Sequence, residues 1–128
     1  MAYITRCVPF TDEILGGAGN LEFVYNTEQP LDVSMTVLAP GHPPVRWVLG
    51  RDVLARRLPG LHEVRVEADR DAVEINLTSP DGTAVMRVRR RDLDAFLRRT
   101  DRAVPFGSER VEFDADAELQ ELLQGGAR

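Results

Sequence analysis

"LDVSMTVLAPGHPPVRWVLGRDVLA", Leu31 to Ala55, falls without a gap on "DAVEINLTSPDGTAVMRVRRRDLDA", Asp71 to Ala95, when the chain is shifted by 40 residues. Upstream, "LEFVYNT" (Leu21 to Thr27) falls on "LHEVRVE" (Leu61 to Glu67) at the same offset. Nine of 35 positions are identical, Val33/Val73, Pro40/Pro80, Val48/Val88, Arg51/Arg91 and Asp52/Asp92 among them. The hydrophobic phase agrees as well. Val33, Met35 and Val37 alternate with Asp32, Ser34 and Thr36, and Val73, Ile75 and Leu77 alternate with Ala72, Glu74 and Asn76. Period-two alternation marks a strand with one buried face.

Each unit of about 40 residues reads strand, strand, turn, strand, helix. In Ser79-Pro80-Asp81-Gly82 proline presets φ and glycine suits the fourth position of a type I turn; Ala39-Pro40-Gly41-His42 is its counterpart. Each helix is expected to open at Arg-Asp, with Asp52 and Asp92 as equivalent N-caps that accept first-turn N–H groups. Pro59-Gly60 stops the first helix, and the second carries Leu93, Phe96 and Leu97 on one face. A solenoid needs at least about three repeats. Two can close on each other about a pseudo-two-fold axis. The predicted fold class is therefore α+β: two β-rich repeats forming two antiparallel sheets around one core, with helices at one end.

Outside the repeats, Tyr3 to Val8 reads as a strand and "DEILGGAGN", Asp12 to Asn20, as a loop. Asp114 is placed to cap a C-terminal helix with Ala115, Leu119, Leu122 and Leu123 on one face, ended by Gly125-Gly126. That face can dock on its own sheet or on a neighbouring subunit.

One single domain, residues 1–128, is expected from the length. The apolar fraction of 43% and charged fraction of 29% suit a folded soluble chain. The net charge of −5 repels phosphate backbones and acidic membranes. All sixteen basic residues are arginine, which reads as a GC-rich codon bias. Cys7 is the lone cysteine, so neither an internal disulfide nor a cysteine zinc site can form. No apolar run approaches the ~18 residues of a membrane span. Met1 to Arg6 lacks the features of a signal peptide, so the expected location is cytoplasmic.

Residues that could carry chemistry are few. His42 and His62 are not paired by the repeat, and neither is read as a metal ligand or base. Asp114, Asp116 and Glu118 lack the spacing of a calcium loop and read as helix capping. "GGAGN" is not followed by Gly-Lys-Ser/Thr, so it is not a phosphate loop. Trp47 reads as packing. No nucleophile, base and oxyanion donors occur together, and the expectation is no enzyme, no catalytic, metal or cofactor site, and no cofactor. "RVRRRDLDAFLRRTD", Arg87 to Asp101, holds six arginines. Arg87 and Arg89 should point away from the core, Asp94 and Arg98 can pair along the helix, and Arg98, Arg99 and Arg102 suit its C-terminal end. The stretch reads first as a solvated face with ion pairs; an anion or nucleic-acid groove and a protein-docking surface are the alternatives.

Four stretches carry a family resemblance: "VRWVLGRDVL" (Val45 to Leu54), "VEINLTSPDGTAVMRV" (Val73 to Val88), "DLDAFLRRTDRAVPFGSE" (Asp92 to Glu109) and "FDADAELQELL" (Phe113 to Leu123). They resemble the SsgA-like proteins, small regulators of cell division in sporulating actinobacteria. The resemblance covers roughly Asn20 to Gln124 and is densest after Val73. The family usually shows Asp-Pro-Tyr-Ala-Val after the second strand; here Gln29-Pro30-Leu31-Asp32-Val33 stands there. The resemblance implies a whirly-like fold and a non-enzymatic protein at the division septum. Its implied partners are FtsZ and other SsgA-like proteins, within a homo-oligomer, a trimer being favoured. Neither nucleic-acid binding nor membrane insertion is expected; the alternative function is a whirly-like single-stranded nucleic-acid binder. Its base-stacking platform would have to come from only eight aromatic residues.

Overall fold

The computed structural model describes residues 2–14, 16–56, 64–79 and 82–109. Their order is β1 (Tyr3–Asp12), β2 (Ala18–Asn26), β3 (Asp32–Leu38), β4 (Val45–Gly50), α1 (Arg51–Arg56), β5 (Val64–Ala68), β6 (Ala72–Ser79), β7 (Gly82–Arg89) and α2 (Arg90–Ala103). The seven strands form one antiparallel half-barrel sheet in the order β4-β3-β2-β1-β7-β6-β5. The expected C-terminal helix, the turn at Pro80-Asp81 and the Pro59-Gly60 stop lie outside the described residues.

Two sheets were predicted, and one is found. The reason is β1, which the repeat does not include. It runs ten residues, longer than Tyr3 to Val8. Along its length it pairs with β2, from Tyr3 opposite Asn26 to Thr11 opposite Ala18. Its far end also pairs with β7, Phe10 opposite Val88 and Asp12 opposite Met86. A single strand bonded on both edges joins the β2–β4 half to the β5–β7 half. The glycine loop is correspondingly shorter than expected, since Ala18 to Asn20 belong to β2.

The 40-residue offset carries β3 onto β6, β4 onto β7 and α1 onto the start of α2 in order. The ladders do not follow it. Val33 stands opposite Leu49, whereas Val73 stands opposite Val88. That is a slip of one residue, and a slip of one turns every side chain to the other face. Val88 is therefore buried, while Val48, aligned with it, is exposed and Leu49 is buried instead.

Alternation builds the core as the sequence implies. Val33 and Met35, and Val73, Ile75 and Leu77, are buried with Ile4, Val8, Phe10, Leu21, Phe23 and Tyr25 on one face of the sheet. Trp47 packs against this core while partly exposed. Helix α2 lies across β1, β7 and β6 and buries Leu93, Phe96, Leu97 and Thr100. The Phe96 ring sits 5.4 Å from that of Phe23, so the helix is fastened to the middle of the sheet.

Asp92 is not an N-cap. The cap position is Arg89, which makes no side-chain cap bond, and Asp92 lies inside the first turn. Its carboxylate accepts Arg6 Nη2 at 3.3 Å. The helix starts earlier than Arg-Asp predicts because β7 passes directly into it at Arg89–Arg90, with the Arg90 amide donating to the Asp71 carbonyl. An acid in the first turn still favours the helix dipole.

Gly19 is fixed by close approach. A Cβ there would collide with the Leu38 carbonyl oxygen and lie 2.7 Å from the Phe10 ring. Neither neighbour can yield easily, since Leu38 pairs with Asn20 and Phe10 is core. Gly19→Ala is expected to cost about 1–3 kcal/mol; a denaturant midpoint equal to that of the parent would refute the close approach.

Candidate functional site

Two arginine clusters stand out, one buried and one open. Arg51 opens α1 directly after β4 and is 1% exposed. A buried charge is tolerated only when paired and hydrogen-bonded, and Arg51 is both. Its Nη1 donates to the carbonyls of Thr100 at 3.2 Å and Val104 at 2.7 Å. Its Nη2 pairs with the Glu109 carboxylate. The guanidinium carbon lies 4.2 Å from the Phe106 ring centroid and 5.1 Å from that of Tyr25, within cation–π range. Among the described residues Nε is buried with no hydrogen-bond partner.

The surrounding groups show the cost and the gain. The hydrogen bond from Arg51 holds the Glu109 carboxyl below its ordinary value, helped by backbone amides. Burial pushes the Tyr25 phenol up, against the lowering influence of Arg51. Tyr25 donates its hydroxyl to the Pro30 carbonyl at 2.9 Å, and the Arg51 amide donates to the Leu31 carbonyl at 2.8 Å. The β2–β3 turn, α1, the end of α2 and the segment to Glu109 thus meet at one side chain. Sequence reasoning missed it. Arg51 was matched with Arg91, which is exposed, and its partner Glu109 is 58 residues away. The one signal is Val104-Pro105-Phe106-Gly107-Ser108-Glu109, which reads in the sequence as a link after the helix and as part of the family resemblance, not as a partner of Arg51.

The stretch Arg87 to Asp101 divides in two. Arg87 points away from the core as expected. It pairs with Asp69 at 2.9 Å, Glu74 at 3.2 Å and, at the 4.0 Å limit, Glu13. Asp69 also accepts the amides of Asp71 and Ala72 at 2.9 and 2.8 Å; these, the Asp71 amide first, then that of Ala72 and then Arg87, hold its pKa below the ordinary carboxylate value. Arg90 contacts Asp94 at 3.4 Å and donates to the Asp69 carbonyl at 2.9 Å. Arg99 donates to the Thr5 carbonyl at 3.1 Å. These are scaffold contacts. Arg89, Arg91 and Arg98 are exposed and join Arg70 around an open cleft of about 660 Å³ at the start of α2.

The other residues singled out in the sequence are not gathered into a site. His42 is exposed in the β3–β4 loop, Cys7 is exposed on β1, and His62, Asp114, Asp116 and Glu118 lie outside the described residues. Among the described residues there is no group of three or more His, Cys, Asp or Glu that could hold a metal ion, and no helix long and apolar enough to cross a membrane.

A half-barrel antiparallel sheet, crossed by one long helix and locked by a buried arginine, defines a small α+β protein built around one core. The chain belongs to the SsgA family of sporulation and cell division proteins: the family profile, described as Streptomyces sporulation and cell division protein SsgA, matches residues 20–109. The sporulation-specific cell division protein SsgB of Streptomyces coelicolor is 41% identical, the match covering 77% of each chain. SsgB of Frankia casuarinae is 35% identical over 80% of this chain and 76% of its own. Among solved structures, one of SsgB, from work correlating its mutations with longitudinal cell division during sporulation of S. coelicolor, superposes with a TM-score of 0.76. It is 31% identical and the match covers 84% of this chain and 91% of that one. An SsgA-like sporulation-specific cell division protein from Thermobifida fusca gives 0.79 at 28% identity, covering 94% and 95%. These relatives are cell division proteins of sporulation.

Because the folded state lowers the pKa of Glu109, and the unfolded chain takes up the proton first as pH falls, the Arg51 pair stabilises the fold above the ordinary glutamate value of 4.5. That contribution is lost as pH falls through the folded value. Glu109→Gln should lower the melting temperature at neutral pH and flatten its decline below about pH 4.5. A variant whose melting curve tracks the parent's from neutral pH down to pH 3 would show the pair to be idle.

Proposed function

We propose that this chain is a non-enzymatic regulator of cell division that helps place or activate the septation machinery during sporulation, with recruitment of FtsZ as its action. The reading rests on one observation above the rest: 41% identity to a sporulation-specific cell division protein over 77% of both chains. The geometry supports a protein that works by contact. Its buried polar groups are spent on holding α2 and the segment after it, while unpaired arginines face outward. The implied partners are septal proteins, FtsZ and other SsgA-like proteins, and the implied site of action is cytoplasmic, at the septum. We place the chain in a homo-oligomer, with a trimer favoured. Several copies of one weak surface would gain about 10²–10⁴ in binding to a polymer where geometry allows.

Deleting the gene in its host and counting sporulation septa and FtsZ ladders by microscopy tests the reading. Fewer or misplaced septa are expected; normal ladders and normal spore chains would sink it. Analytical ultracentrifugation that finds only monomer at high concentration would remove the trimer.

The nucleic-acid alternative makes a different demand. Single-strand binders combine a positive track with aromatics on which bases stack. Phe10, Phe23, Tyr25 and Phe96 are buried, and among the described residues no aromatic lines the arginine cleft. Binding of single-stranded DNA or RNA should be no tighter than the non-specific range of about 10⁻⁴–10⁻⁶ M at physiological salt. A nanomolar anisotropy titration that weakens steeply with salt would favour the alternative instead.

A further inference from the structure

We propose that the open cleft at the start of α2 is the docking site for a short acidic segment of a partner protein. The inference rests on the contact role proposed above and assigns it a surface and a chemistry. Five arginines and two aspartates line the cleft. Arg70 and Asp71 come from the β5–β6 turn, Arg89 from the end of β7, and Arg90, Arg91, Asp94 and Arg98 from successive turns of α2. Arg90 is already held by Asp94 and the Asp69 carbonyl. Arg70, Arg89, Arg91 and Arg98 are exposed and have no hydrogen bond or ion pair among the described residues. Elsewhere the guanidinium groups of Arg6, Arg46, Arg51, Arg87 and Arg99 are engaged by side chains or carbonyls, while Arg102, exposed in the last turn of α2, does not line the cleft. Four unengaged guanidinium groups facing one concavity, on a chain of net charge −5, are the feature that the scaffold does not explain.

Guanidinium forks match carboxylates in paired N–H···O bonds, so acidic side chains suit the cleft. Three features select a polypeptide over a nucleic acid or a membrane. Asp71 interrupts the positive surface; a phosphodiester track would be repelled there, whereas a peptide can offer amides or cations. Among the described residues no aromatic lines the cleft for bases to stack on. The net negative charge opposes any long polyanion or anionic membrane, while a short segment senses chiefly the charges within a Debye length of about 8–10 Å. The cleft walls are also rigid, because α2 is fixed to the sheet by Phe96 and Leu93.

The test uses the full chain, fluorescein-labelled hexaglutamate as probe, and anisotropy at low salt. The probe should bind and be released by added salt. Arg91→Glu/Arg98→Glu should weaken it by at least about tenfold, and Arg91→Lys/Arg98→Lys, which keeps the charge but not the fork, by less. Unchanged melting curves verify that both variants fold, as expected for exposed side chains. No binding, or equal binding to the charge-reversed variant, overturns the proposal. So does tighter binding of an oligothymidine or of phosphatidylglycerol vesicles that the same reversal abolishes. In the host, the charge-reversed variant should fail to restore septa to a deletion strain. If it restores them fully, the cleft is not the division contact and the division role stands. If the deletion strain itself forms normal septa, the division role fails whatever the peptide does.

Discussion

The fold turns on the confinement of one guanidinium group. Arg51 is the largest fully buried side chain, and it sits where it would be expected to be costly, at the positive end of a short helix. What offsets that cost lies elsewhere in the chain. The last carbonyls of an α-helix lack intrahelical partners and carry its negative dipole end. Arg51 reaches the end of α2 and takes two acceptors there, Thr100 and Val104. Val104 in turn donates its amide back to the Thr100 carbonyl at 2.8 Å. The helix is closed by a side chain from the other half of the sheet, not by a glycine. Glu109 then neutralises the charge and ties down the segment that follows, with Phe106 covering the guanidinium face. Removing either charge would leave the other without its counterion.

That lock has a consequence for the surface. Helix α2 is held at its middle by apolar packing and at its C-terminal end by Arg51. Its N-terminal end grows directly out of β7. Such a helix has little freedom to roll, and the arginines on its outer side keep a fixed spacing. Groups that must meet a partner in defined geometry are best carried on rigid elements. The buried and the open arginines therefore belong to one design: the first holds the helix on which two of the others, Arg91 and Arg98, stand.

Much of the core was legible in the sequence. Alternation located Val33, Met35, Val73, Ile75 and Leu77, and the spacing of Leu93, Phe96 and Leu97 gave the buried face of α2, because both periods are local properties of the backbone. The single sheet was not legible. It depends on β1 finding β7 across more than 70 residues, Phe10 opposite Val88, and no local pattern encodes a strand's second neighbour. The register slip was also hidden. The β3–β4 connection spans residues 39–44 and the β6–β7 connection only 80–81, so equal offsets in sequence do not give equal positions on the two ladders. The departure at Gln29 to Val33 falls on the β2–β3 turn and the start of β3. The β2–β3 turn meets Tyr25 and Arg51 through the carbonyls of Pro30 and Leu31, and Leu31 itself is half exposed. Backbone acceptors place little demand on the side chain that carries them.

Arginine at every basic position has a compositional explanation, and for most positions that is enough. At Arg51 it is not. A lysine ammonium could satisfy Glu109 or the two carbonyls, but it is a point charge without a planar face or separated N–H groups. The site asks for both at once: donors aimed in divergent directions, at Thr100 and Val104 on one side and Glu109 on the other, and a flat cation between the rings of Tyr25 and Phe106. A residue type supplied everywhere by composition is thus required by geometry at one place, and that place is where the two halves of the molecule are joined behind the helix.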